Sequence, residues 1–223
     1  MIPLGDIEAL TAQPERELDP IDIIIEQNRS RLTELVPVRI DRMSESPFAY
    51  YRGTAGPMAA DLSTVPHTST MPLICGDAHI GNFGYFASPE RNLLFDLNDF
   101  DEAGRGPFEW DLKRLTTSVY LAAIDNGESE ETATTLAEKT SKYYRRTILR
   151  MNEESALDRY YERVNTNTFE EMIKEEYQPL FAKFEQKARN RNSEQALHKF
   201  AVTDDNGNHR IICLLYTSPS PRD

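Results

Sequence analysis

The sequence predicts an α+β fold, mostly helical with one short β-hairpin. Three observations carry that expectation. From Phe108 to about Val164, apolar residues recur at helical spacing through three consecutive segments. Between Asn82 and Leu97, two short apolar runs flank the turn-forming stretch SPERN. The run from Pro72 to Cys75 leads directly into Gly76-Asp77, as a strand does when it hands an acid to a turn.

In chain order, IDIIIEQNRSRLTEL predicts a helix from Pro20 to about Leu35, with Ile21, Ile24, Ile25, Asn28 and Leu32 on one stripe. Asp19 is its expected N-cap and Pro20 its first helical residue. Residues 42–62 mix turn signals with aromatics and are expected to wrap the core before a short helix near Pro57 to Leu62. Residues 63–71 read as a loop. A strand from Pro72 to Cys75 follows, then the hairpin of Asn82 to Phe86 with Leu93 to Leu97. Its second arm delivers Asp96 to Asp101 into a Gly/Pro-rich turn. A helix is expected from Phe108 to Ile124, with Leu112, Leu115, Val119 and Ala122 at helical spacing and a stop at Asn126-Gly127. Two more follow, at about Ser129 to Met151 and Ser155 to Val164. Thr168 with Glu171 forms a capping box for a further helix, which Pro179 should kink or interrupt. DDNGN at 204–208 predicts a hairpin turn between two strands.

Composition limits the function classes. The 223 residues are 39% apolar and 28% charged, a globular balance. No stretch approaches the roughly 18 to 20 apolar residues of a spanning helix, so no membrane role is expected. Two cysteines, Cys75 and Cys213, exclude a disulfide framework and make a reducing cytoplasm the expected setting. The net charge of −12 is uneven. Residues 1–110 hold 8 basic against 18 acidic side chains, and 111–223 hold 17 against 19. An acidic first half disfavours nucleic acid and suits a site assisted by a cation.

The acids concentrate in CGDAHIGNFGYFASPERNLLFDLNDFDEAGRGPFEWDL, residues 75–112. Asp77 and Asn82 have the spacing of a phosphotransferase catalytic loop. Its aspartate orients an acceptor hydroxyl and takes its proton, and its amide turns back to give Mg²⁺ a neutral oxygen. Alone, the spacing D-x-x-x-x-N also fits an acid-capped turn. The Asp96, Asp99 and Asp101 carboxylates that follow one hairpin later are hard-oxygen ligands of the type Mg²⁺ takes. A calcium loop beginning at Asp96 fails, because Phe100 cannot ligate, Asp101 replaces the required glycine and Pro107 the terminal acid.

GDAHIGN followed by NDFDEAGRGPFEWDL resembles the GDxHxGN…IDFxDA…GPxxxDLA signature of aminoglycoside-phosphotransferase-like kinases. With RMSESPFAYYRG before it, the block resembles bacterial domain-of-unknown-function family 2252, over roughly residues 30–212. The wider kinase-like resemblance covers 74–115. It implies a protein-kinase-like C-lobe whose β-hairpin follows the catalytic loop, with ATP and Mg²⁺ as cofactors and a small-molecule or protein acceptor. By that resemblance Asp77 is the catalytic base and Asn82 the first metal ligand. Asp99 is the preferred metal-binding aspartate, Asp96 its competitor, and Asp101 a support or second-cation ligand. Asp111 would hold the loop backbone, and His79 would pack beneath the site. Cys75 departs from the histidine usual before Gly-Asp. Arg52 and Arg105 would be able to meet phosphate. The expected partition is a helical, wrapping segment at 1–65, the catalytic-loop and metal-loop core at 66–125, a helical subdomain at 126–200 and the start of a second lobe at 201–213.

The nucleotide cradle has no counterpart here. The first lysine is Lys113, after the whole motif, and Gly5, Gly53, Gly56 and Gly76 form no glycine-rich loop. The last ten residues, LLYTSPSPRD, resemble the read-through of a sequencing adapter, so 214–223 reads as a non-native tail. The natural chain is then expected to continue past about Cys213, with residues 1–213 binding ATP–Mg²⁺ weakly and inactive alone. Three functions fit these residues: a phosphotransferase, a metal-dependent phosphoester hydrolase, and a non-catalytic kinase-like binding module.

Overall fold

The structure, a computed structural model, describes residues 7–90, 92–164, 175–190, 201–203 and 209–211. It is a mixture of helices and a few short strands, helix predominating. The chain forms two compact units. The first comprises residues 1–83 and 99–160, and the second residues 84–98 and 161–223.

In the first unit, helices α1 (Ile7–Leu10), α2 (Pro20–Asn28), α3 (Val36–Met43), α4 (Pro47–Arg52) and α5 (Ala55–Ser63) precede strand β1 (Leu73–Ile74). Asp19 caps α2 by accepting a hydrogen bond from the Ile21 amide at 2.8 Å, with Pro20 at the start of the helix. The helix stops at Asn28, earlier than its apolar stripe suggests, and only Ile24 of that stripe is buried. Ile21, Ile25 and Leu32 are exposed. Ser30 donates to the Gln27 carbonyl, and this local side-chain bond competes with the next helical turn. Pro37 then opens a new helix in its first turn.

The expected wrapping segment is largely helical. Its turn signals are the joints of three short helices: Ser46 caps α4 through the Ala49 amide, Pro47 starts it, and Gly53 ends it. The loop at 63–71 is anchored by Glu109, whose carboxylate accepts from the Thr68 amide at 2.6 Å and the Thr68 hydroxyl at 2.9 Å. Strand β1 pairs antiparallel with β4 (Gly104–Arg105), Ile74 opposite Gly104. Two residues carry no periodicity, so β4 falls within the Gly/Pro-rich turn that the sequence predicts.

Helix α6 (Phe108–Asp125) ends at Asn126, with Gly127 at φ +84°. Helix α7 (Glu130–Glu153) is capped by the Ser129 hydroxyl, and α8 (Ala156–Tyr161) follows. Helix α6 packs on α7, α4 and β1. Phe108 stacks on Tyr144 with centroids 6.5 Å apart. Buried Ile24, Met43, Leu62, Val65, Ile74, Cys75, Ala78, Ala123 and Ala133 form the apolar interior.

In the second unit, β2 (Phe83–Ala87, entered from the first) pairs with β3 (Leu93–Leu97). Tyr85 meets Phe95 and Phe181 edge-on at 5.3 and 6.0 Å. Phe181 belongs to α9 (Gln178–Asn190), which begins just before Pro179. Strands β5 (Ala201–Thr203) and β6 (His209–Ile211) pair antiparallel. The Thr168–Glu171 capping box, the DDNGN turn, Cys213 and the 214–223 tail lie outside the described residues. No helix among the described residues is long and apolar enough to cross a membrane.

Candidate functional site

Strand β1 leads into Cys75-Gly76, and Asp77 is the first side chain beyond Gly76. Gly76 has φ +81°, a region L-residues rarely adopt, and a Cβ there would stand 2.3 Å from the Glu102 carbonyl oxygen. The chain then reverses within five residues. The His79 amide donates to the Asp77 carbonyl, and the Asn82 amide to that of His79, both at 2.9 Å. The Asn82 side chain closes the reversal, its Nδ2 donating to the Asp77 carbonyl at 2.8 Å. With Nδ2 engaged, Oδ1 is the end of Asn82 that remains to accept.

Helix α6 fastens this loop at three places. Asp111 accepts from the Cys75 amide at 2.7 Å and the Gly76 amide at 2.9 Å, one on each oxygen. Arg114 donates through Nε to Asp77 Oδ1 at 2.7 Å. Ser118 accepts from the Ile80 amide at 2.8 Å and donates to Leu115. Positions 111, 114 and 118 lie at i, i+3 and i+7, one face of a helix. Leu112, Leu115, Val119 and Ala122, whose helical spacing predicts this helix, are half-buried. Arg114 and Ser118, among the most buried residues of α6, were missed. Their spacing from Asp111 was the available signal.

The other acids come from the turn that precedes β4. The Cys75 thiol donates to the Asp99 carbonyl at 3.0 Å, tying this turn to the end of β1. Burial pushes that thiol up to about 11, which keeps it a donor. The Asp101 amide donates to Asp99 Oδ1 at 3.3 Å. Partial burial raises the Glu102 carboxyl above its ordinary range, and the charges of Asp77, Asp101 and Asp99 raise it further. Glu102 thus feels the negative charges of the three aspartates together. Asp96 belongs to the second unit, where its Oδ1 accepts from the Leu97 amide at 2.8 Å. No group of three or more His, Cys, Asp or Glu side chains converges as a metal cage among the described residues.

His79 is buried at 3% exposure. Its Nε2 is 3.8 Å from Asp77 Oδ2, and its Nδ1 has no hydrogen-bond partner among the described residues. Burial above all, with the Arg114 and Arg52 charges, pushes it down to about 4, while Asp77 pulls the other way. The unfolded chain therefore takes up a proton at His79 before the folded one does. Its contribution to stability is full above pH 6.5 and is lost as pH falls toward 4. Between pH 7 and pH 4.5, His79→Phe is expected to lose about 2 kcal/mol less than the wild type, measured by urea unfolding at both pH values. An equal loss in both proteins would show that His79 is not the group responsible.

A family model described as an uncharacterized protein conserved in bacteria, DUF2252, matches residues 31–213. The chain belongs to that family. The match takes in the loop, the Asp99 turn and all of α6, so the anchoring just described lies within the DUF2252 region. No curated protein matches the chain, and no solved structure does.

Two side chains considered as phosphate contacts differ in placement. Arg52 is exposed at the end of α4, with Nε 3.5 Å from where a Cβ on Gly81 would stand. Arg105 is exposed on β4 opposite Leu73. Lys113, the first lysine of the DUF2252 chain, donates to the Leu10 carbonyl at 3.1 Å.

Proposed function

We propose that this DUF2252 chain carries the catalytic half of an ATP- and Mg²⁺-dependent phosphotransferase site, acting on a hydroxyl of a small-molecule or protein acceptor. The observation that carries the reading is the Asp77–Asn82 reversal. It presents a carboxylate whose side chain is 19% exposed, on a backbone clamped by Asp111 and by Asn82 itself. A fixed carboxylate beside a fixed amide oxygen is what positioning catalysis of phosphoryl transfer requires.

In this reading Asp77 orients the acceptor hydroxyl and takes its proton. Asn82 Oδ1 and the Asp99 carboxylate hold Mg²⁺, with Asp101 in support. Asp99 is preferred to Asp96 because it belongs to the same unit as Asp77 and Asn82. The donor set fits the ion: one amide oxygen and one or two carboxylates suffice when phosphate oxygens complete the shell. The raised Glu102 carboxyl marks negative charge that a cation would offset. Bound ATP–Mg²⁺ would supply the phosphoryl group and neutralise its charge.

Incubating a full-length DUF2252 protein that carries this region with labelled ATP, Mg²⁺ and a panel of hydroxyl acceptors tests the reading. Label is expected to move to an acceptor, and Asp77→Asn is expected to stop that transfer. A wild type that consumes no ATP with Mg²⁺ would sink it. Phosphoester hydrolysis by metal-activated water is the second reading, favoured by the engagement of Lys113 with Leu10 and the absence of a glycine-rich loop before Asp77. Phosphate release without any acceptor would support it.

A further inference from the structure

Arg114 is the largest fully buried side chain among the described residues, at 1% exposure. A guanidinium carries five N–H donors and cannot shed its charge, so burial demands partners on several sides. Nε donates to Asp77 Oδ1, and Nη2 lies 2.7 Å from the same oxygen. Nη2 also donates to the Tyr51 carbonyl at 2.9 Å and the Arg52 carbonyl at 3.3 Å. Nη1 faces the Met58 sulfur at 3.8 Å, and the Tyr51 ring lies 4.3 Å from the guanidinium carbon.

The distribution is one-sided at Asp77. Oδ1 receives the guanidinium. The approach of His79 to Oδ2 is at 3.8 Å, beyond hydrogen-bond reach. A carboxylate held by one oxygen cannot turn about its Cβ–Cγ bond without breaking that contact. At the end of α4, Arg114 donates to the Arg52 carbonyl and to that of Tyr51, which also accepts from the Thr54 amide and hydroxyl. The orientation of Asp77 is therefore set jointly by α4 and α6.

We propose that Arg114 is a positioning residue for Asp77: it engages Oδ1 and aims Oδ2 as the oxygen that meets the reacting hydroxyl. The proposal rests on the phosphotransferase reading for the reaction it serves. Arg114 touches neither the hydroxyl nor the phosphoryl group and acts through Asp77 alone.

The test uses the full-length DUF2252 protein that carries this region, as wild type, Arg114→Lys, Arg114→Met, Asp77→Asn and the Arg114→Met/Asp77→Asn double variant. Misaiming a reacting group costs on the order of 100-fold, so Arg114→Met is expected to lower kcat by about that factor with KM for ATP within about twofold. Arg114→Lys keeps the charge without the planar fork and should recover part of the loss. In the Asp77→Asn background the residual rate should fall no further. A folded Arg114→Met protein with wild-type kcat would overturn the proposal, as would losses that multiply in the double variant.

A second measurement needs no turnover and separates this proposal from the reading beneath it. If the wild type consumes no ATP the reading fails, and the aim of Asp77 is judged by carbodiimide–amine labelling mapped by mass spectrometry. Asp99 and Asp101 serve as internal references. Releasing Asp77 should raise its labelling severalfold relative to Asp99 in Arg114→Met, and an unchanged ratio overturns the proposal. If Arg114→Met does not fold, Arg114→Lys carries both comparisons.

Discussion

Asp77→Ala is expected to lower the unfolding free energy by about 3 kcal/mol, independently of any effect on turnover. The cause is the partner left behind. Arg114 is almost wholly buried, and the Tyr51 and Arg52 carbonyls solvate its N–H groups without neutralising its charge. Removing one member of a buried ion pair typically costs about 3–5 kcal/mol. The lower end applies because the Asp77 side chain remains 19% exposed and water can reach part of the gap. Asp77→Asn keeps an acceptor oxygen but not the charge, so it should fall between. Urea unfolding at pH 7 measures both. Adding Arg114→Met to Asp77→Ala should restore much of the loss, since an apolar replacement of a whole buried pair is often close to neutral. A single-variant loss below about 1 kcal/mol would show that Arg114 is compensated elsewhere. Loss of activity in an Asp77 variant must therefore be judged at a temperature where that variant is folded.

Asp111→Ala is expected to cost about 2–4 kcal/mol, because two charge-assisted hydrogen bonds disappear together and each is worth about 1.5–3 kcal/mol before water replaces any of it. The donors it abandons are the Cys75 and Gly76 amides. Gly76 is held in a left-handed conformation against the Glu102 carbonyl, so its turn has little freedom to find another acceptor. Amide hydrogen exchange should locate the damage: Cys75 and Gly76 lose protection, while the middle of α7 keeps it. Asp111→Asn places an NH₂ opposite one of the two amide donors and should lose more than half of the stabilisation. Exchange at Cys75 and Gly76 no faster than in the wild type would show that the loop holds its shape without Asp111.

Helices α6 and α7 were legible because their apolar spacing persists over several turns and each ends in a recognisable cap or glycine. The β2–β3 hairpin was legible from two apolar runs around a turn. Helices α3 and α4 were not, since six to eight residues carry too few turns for periodicity to show, whereas α5 was expected near Pro57 to Leu62. Their capping residues looked like loop signals. At the site, the reversal from Asp77 to Asn82 could be read from spacing and glycines. What escaped was the polar face of α6. An arginine beside a lysine on a helix normally faces water, and only the tertiary position of Asp77 makes burial of Arg114 tolerable. Ser118 escaped for a related reason: a serine in a helix gains its role from the unpaired Ile80 amide opposite, which no local pattern reveals.

The pairing of β1 with β4 has a bearing on the order of assembly. Ile74 and Gly104 sit opposite each other though they are 30 positions apart, and the ladder between them is two residues long. Closing such a loop costs chain entropy that so short a ladder cannot repay alone. Helices α6 and α7 are sequence neighbours and bury their contacts at little such cost. Contact order thus favours the helical pair as the early structure and the strand closure as a late one. The charges of Asp77, Asp99 and Asp101 that bear on Glu102 are then brought together at the end of folding, on a scaffold already able to restrain them.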